Sequence, residues 1–265
     1  MTILQSLILG IIEGLTEFLP ISSTAHLLII SELLKIPSSE FLKTFTISIQ
    51  VGAILAVIVL YWKRVFSNLN IIWRLAAAFI PTAIIGLIFY KLVKNYLMES
   101  LLIIAISLFV GGIIIILFEN WYARKNLKKD DGLNSDLDLN KISYKQAVIL
   151  GAVQALAMIP GVSRSGATII GGLAQDINRR TIVEFSFLLA IPTMLAATAF
   201  DLYKNPDIFN DGQIIIWLAG FITSFITAII GIKFLIKYIQ RNDFKIFAWY
   251  RIVLGLVILG VLFLK

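Results

Sequence analysis

The 265-residue chain has no cysteine and a single histidine, His26. The first absence excludes a disulfide, a thiolate nucleophile and a cysteine-ligated metal, and it leaves the redox compartment open. Charge is also scarce, at 15% of residues against about a quarter in an ordinary soluble domain. No Lys or Arg precedes Lys35, so the N-terminus lacks the positive region of a secretory signal peptide, and MTILQSLILG is read as mature structure. What fills the sequence is apolar: 59% of residues are hydrophobic and the mean hydropathy is +0.92. A soluble fold of this length has too little interior for so many apolar runs, whereas runs of roughly 20 residues match the bilayer core. The net charge of +7 comes with no compact basic module interleaved with aromatics. That argues against a nucleic-acid partner and for cytoplasmic loops and contact with membrane lipids.

The apolar runs predict an all-α integral membrane protein. Three uninterrupted stretches, about 41–62, 71–93 and 100–121, are matched by three more at about 181–203, 212–237 and 246–264. Each set follows an apolar segment broken near its middle: 1–34 around Pro20, and 143–178 around Pro160. The half-segments are too short to cross a bilayer and suit re-entrant helix hairpins. The order recurs with an offset near 141 residues, aligning Gly10-x-x-Glu13 with Gly151-x-x-Gln154, Pro20-x-x-Ser23 with Pro160-x-x-Ser163, and Phe45 with Phe185. The expectation is a single membrane domain, 1–265, made of repeat one (1–121), a cytoplasmic linker (122–142) and repeat two (143–265). Because each half has an odd number of spans, the repeats are inverted in topology, an arrangement that places sites near the midplane on broken helices. Assigning basic residues to the two sides gives six against sixteen, with Arg251 counted on the richer side. The richer side is then cytoplasmic, and both termini and the opening of hairpin 1–34 face outward.

Both broken segments carry chemistry-bearing residues. In GIIEGLTEFLPISSTAHLL, Glu13 and Glu17 share a helix face. Each would cost roughly 2.5–3.5 kcal/mol near the bilayer centre if it met lipid, so that face must meet protein, water or a cation. Pro20 ends the first half-helix, and Ser22, Ser23 and Thr24 can cap the next, whose N-terminus suits an anion. Taken singly, the carboxylates read as a structural pair, the hydroxyls as caps and His26 as a satisfied interior histidine. Together within fourteen residues on a broken helix they read as a site. In GAVQALAMIPGVSRSGATIIGG, Gly161 and Gly166 let backbone approach a ligand, and Ser163, Ser165 and Thr168 supply hydroxyls. Arg164 offers a rigid five-donor fork suited to phosphate oxygens. Ser163 does not fit a hydrolase elbow, because GVSRS lacks the closing glycine.

EGLTEFLPISSTAH and PGVSRSGAT closely resemble the two signature motifs of the bacitracin-resistance type undecaprenyl-diphosphatase family, over nearly the whole chain. The resemblance implies hydrolysis of undecaprenyl diphosphate to the monophosphate and inorganic phosphate at the outer face of the bacterial cytoplasmic membrane. It further implies recycling of the carrier lipid for peptidoglycan synthesis and resistance to bacitracin. Carried over by position, it puts the acidic pair on Glu13 and Glu17, the hydroxyls on Ser22, Ser23 and Thr24, and the histidine on His26. The second motif's phosphate contacts fall on Ser163, Arg164, Ser165 and Thr168. Gln154, opposite Glu13 across the repeat, is the uncharged counterpart expected to line the same cavity. The mechanism read from these residues has Ser23 attack the terminal phosphorus, Glu17 or His26 take its proton and Arg164 steady the phosphoryl group. His26 or water as the nucleophile stays open. The resemblance implies a divalent cation; Glu13 and Glu17 offer the oxygen ligands that magnesium or calcium prefers, and phosphate and water must complete the set. No organic cofactor is expected, and the oligomeric state is left open, a homodimer included. Inverted repeats with broken helices also build transporters, so the alternative is a flippase of polyprenyl phosphate.

Overall fold

The computed structural model describes residues 1–66, 68–97, 100–126, 139–204 and 211–264. Among them are ten α-helices and no strand. Six helices are long and apolar enough to cross a membrane: α3 (Glu40–Phe66), α4 (Leu69–Leu92), α5 (Leu101–Asn126), α8 (Arg179–Lys204), α9 (Asp211–Tyr238) and α10 (Lys245–Leu264). Their outer faces carry exposed Ile, Leu, Val and Trp, while Ser, Thr and Glu side chains are buried inside. This distribution suits lipid as the solvent, because polar groups there must find partners within the protein.

Four short helices form two pairs, α1 (Ile3–Thr16) with α2 (Ser23–Leu33) and α6 (Tyr144–Gln154) with α7 (Arg164–Ala174). Each pair is folded back by the same polar device. A capping box joins Thr2 to Gln5 at the start of α1 and Ser143 to Gln146 at the start of α6. Each glutamine also reaches the end of its partner helix: Gln5 Nε2 donates to the Leu34 carbonyl and Gln146 Nε2 to the Gln175 carbonyl, both at 3.2 Å. Beyond those ends Lys35 and Asp176 both have positive φ, 52° and 57°.

The turns inside the pairs correct one sequence alignment. The residues at the N-caps of α2 and α7 are Ser22 and Ser163, both at positive φ (68° and 77°). Ser22 therefore pairs with Ser163, and Ser23 with Arg164. The Pro-to-Ser alignment, with an offset of 140, was one residue out of register: Ser22 and Ser163 stand 141 apart, as do Gln5 and Gln146 before the turns and Lys35 and Asp176 after them, so Pro20 falls opposite Gly161, at φ 94°. The caps also differ. Ser163 Oγ accepts from the Gly166 N–H at 3.2 Å, whereas the Ser22 side chain makes no capping bond.

Packing interleaves the two halves of the chain: α1 lies on α9, α6 on α4, α5 on α10, and α3 touches both α8 and α9. Lipid tails are as apolar as leucine, so close backbone approach and hydrogen bonds must supply much of the association. Gly151 provides one such approach, since a Cβ there would strike the Ala78 carbonyl on α4. Thr82 Oγ1 donates to the Gly151 carbonyl at 2.7 Å across the same contact.

The polar stretch 122–142 is structured at both described ends. α5 continues to Asn126, and a single 3-10 turn at Leu139–Lys141 precedes α6. Leu139 and Ile142 are buried, and Arg74 donates to the Ile142 and Asn140 carbonyls at 2.6 and 3.0 Å. The remainder of the expected linker, 127–138, lies outside the described residues.

Candidate active site

The turns of the two short pairs meet beside a cavity of about 530 Å³. Its polar wall combines Glu17, Ser22, Ser23 and Thr24 from the first pair with Gln154, Gly161, Ser163 and Arg164 from the second. The remaining wall is largely apolar, with Phe79, Leu87 and Tyr90 from α4 and Met194, Ala197 and Phe200 from α8. Leu87 is 63% exposed, so this wall continues onto the outer surface of the helices.

Glu17 links the two pairs. One carboxylate oxygen accepts a hydrogen bond from Ser23 Oγ and the other accepts from Arg164 Nη2 at 2.9 Å. Arg164 is fixed on its other side by the Ser186 carbonyl, which accepts from Nη1 at 2.6 Å, and its guanidinium lies 5.8 Å from the Phe18 ring centroid. Its buried Nε has no partner. Glu13, one turn before Glu17, does not line the cavity; it is fully buried, and neither carboxylate oxygen has a hydrogen-bond partner. That unsatisfied carboxyl beside Glu17 has the donor chemistry for a cation. No group of three or more His, Cys, Asp or Glu side chains suited to a metal occurs among the described residues, so outside oxygens would have to complete the coordination.

Ser165, Gly166, Thr168 and His26 fall behind the wall. Ser165 Oγ donates to the Leu19 carbonyl at 2.8 Å, tying α7 to the first turn, and lies 3.2 Å from Ser163 Oγ. Thr168 Oγ1 donates to the Arg164 carbonyl at 2.9 Å. Gln154 Nε2 donates to Thr82 Oγ1 at 3.1 Å. A Cβ on Gly166 would make only ordinary contacts at 3.4 Å, so that position does not require glycine for space. His26 is not on the cavity wall. Its Nδ1 lies 2.7 Å from the Ser22 carbonyl and its Nε2 2.7 Å from Tyr250 Oη, so both ring nitrogens are engaged.

Sequence reasoning missed several supporting groups. Arg251 is the largest fully buried side chain among the described residues and sits in α10 between the two turns. Its Nη1 donates to the Pro20 and Val162 carbonyls (3.1 and 2.9 Å), and its Nη2 to those of Gly161 and Ser107 (2.9 and 3.1 Å). It is therefore an interior tie rather than the cytoplasmic surface charge it was counted as. Without it the tally of basic residues becomes six against fifteen, and its direction is unchanged. A cation inside the apolar run 245–264 was the available signal. Tyr250, Thr82 and Ser186 gave none.

Sequence comparison agrees with this arrangement. The family described as "Bacitracin resistance protein BacA" matches residues 6–257. A protein of Aquifex aeolicus named undecaprenyl-diphosphatase is 48% identical over 257 residues, covering 97% of each chain. One of Campylobacter jejuni with the same name is 50% identical over 255 residues, 96% of this chain and 92% of its own. A third, from Wolinella succinogenes, is 48% identical over 259 residues and 98% of each. With both signature motifs on one cavity and relatives alike over nearly their full length, this chain belongs to the bacitracin resistance protein BacA family.

Proposed function

We propose that the protein hydrolyses undecaprenyl diphosphate to undecaprenyl phosphate and inorganic phosphate, the substrate named in its relatives. The observation that carries this reading is the chain Ser23–Glu17–Arg164 on the wall of a cavity whose other side is apolar. The terminal phosphate lies against Arg164 and the Ser163 turn, while the prenyl chain leaves along Leu87 and Phe200 towards lipid.

In this mechanism Ser23 Oγ attacks the terminal phosphorus as its proton passes to Glu17. The anhydride P–O bond breaks and undecaprenyl phosphate departs with the proton held by Glu17, which becomes a carboxylate again. Water then attacks the phosphoseryl group as Glu17 takes one of its protons; the P–Oγ bond breaks, Glu17 returns that proton to Ser23 Oγ, and phosphate leaves with the other water proton. Arg164 spreads its positive charge over the equatorial oxygens. His26 acts as a positioning residue through Ser22. Glu13 and Glu17 would hold a divalent cation together with phosphate oxygens and water, where it would neutralise developing negative charge.

The interleaved packing and the matching glutamine ties at 5 and 146 support two inverted-topology repeats, each a re-entrant hairpin followed by three spans, joined across 122–142. The excess of basic residues on one side supports a cavity opening on the outer face of the cytoplasmic membrane. No observation favours flipping of polyprenyl phosphate over hydrolysis.

The test is phosphate release from undecaprenyl diphosphate by purified protein in detergent. Ser23→Ala and Arg164→Ala are each expected to lose about 100-fold or more. Because the Arg164 change leaves a buried carboxylate unpaired, at a cost of about 3–5 kcal/mol, gel filtration and thermal unfolding must accompany it. No release by folded wild type, with or without magnesium or calcium, would overturn the assignment.

A further inference from the structure

A second cavity, of about 350 Å³, opens where α3, α8 and α9 come together at the opposite end of the molecule. Arg64 on its wall lies about 21 Å along α3 from Gln50 of the first cavity, at about 1.5 Å per residue. Four cationic side chains line it, Arg64, Arg180, Lys233 and Lys237, together with one carboxylate, Glu184. Glu184 is buried and already engaged twice, by Arg64 and by Arg180 Nε at 3.5 Å. It holds the two guanidinium groups at the rim, each more than 40% exposed, at 43% and 45%. Lys233 and Lys237 stand one turn apart on α9, exposed, with no acidic partner among the described residues.

A concave site with four cations against one carboxylate is incomplete without an anion. Two arginine forks and two lysines suit the three terminal oxygens of a phosphate monoester, which accept from several directions at once. The surroundings indicate its source: Leu60 lines the cavity, and Val59 and Phe234 beside it are 56% and 51% exposed, an apolar surface against which acyl chains can lie. We infer that this cavity binds a phosphate monoester, supplied as the headgroup of an anionic phospholipid packed against α3 and α9. Nothing in the hydrolytic chemistry requires it, and it does not depend on which side of the membrane this end faces.

The experiment uses the purified full chain and the double variant Lys233→Gln/Lys237→Gln, whose exposed side chains leave the fold intact by gel filtration and melting temperature. Native mass spectrometry titrates dioleoyl phosphatidic acid, with dioleoyl phosphatidylcholine as the zwitterionic control. Thermal unfolding in inorganic phosphate tests the bare anion. Phosphatidic acid is expected to be retained over phosphatidylcholine, and about thirtyfold more weakly by the double variant, roughly a factor of five per lysine. Stabilisation by inorganic phosphate alone, lost in the variant, supports the site with free phosphate as its occupant. Equal retention of both lipids with no response to phosphate, or retention unchanged in the variant, overturns the inference.

Discussion

His26 and Ser23 lie three positions apart in one motif, yet their surroundings separate their roles. Ser23 lines the cavity and donates to Glu17, whereas His26 faces α10, between the Ser22 carbonyl and Tyr250. A nucleophile must reach the phosphorus in line, and an imidazole with both nitrogens engaged behind the wall serves better to hold Ser22 in its left-handed conformation. His26→Asn and Tyr250→Phe are therefore each expected to lower kcat by about fivefold to tenfold, the scale of one lost hydrogen bond. The effects should be non-additive in the double variant, because both changes break the same contact. Steady-state phosphate release decides it. Loss of all activity in His26→Asn beside a near-normal Tyr250→Phe would make the histidine the attacking group.

At the scale of elements, the short pairs are positioned by backbone contact with helices of the other half of the chain. α6 approaches α4 so closely at Gly151 that one added methyl would meet the Ala78 carbonyl. Gly151→Ala is expected to destabilise the protein by about 1–3 kcal/mol through this overpacking, read as a lower unfolding temperature in detergent. Gly260, near the end of α10, has open space at its Cβ position. Gly260→Ala should leave the unfolding temperature unchanged or slightly raised, since alanine is the better helix former. If the two variants melt together, backbone proximity is not what seats α6.

For the whole molecule, orientation rests on the uneven distribution of basic residues, and the absence of cysteine makes it simple to check. Lys204, at the end of α8, belongs to the side poor in basic residues, and Arg241, after α9, to the rich side; both are exposed. In intact cells a membrane-impermeant maleimide should label Lys204→Cys and should reach Arg241→Cys only after permeabilisation. The opposite pattern would place the active cavity on the cytoplasmic side.

Much of this molecule was determined by the sequence alone. Six apolar runs became six long helices to within a few residues, because span length is set by bilayer thickness and needs no knowledge of neighbours. Glu17, Ser23 and Arg164 were recognisable because charge and hydroxyl groups beside a helix-breaking proline stand out in an apolar chain. The tertiary structure alone decided which candidates reach the cavity. His26, Ser165 and Thr168 turn away from the cavity, Pro160 stands one residue earlier in its turn than Pro20 does, and Arg251 gathers both turns through carbonyls 231 and 90 positions away. Linear spacing fixes which face of a helix a side chain occupies, but the groups that satisfy it come from other helices, and their approach is set by packing between the two halves of the chain.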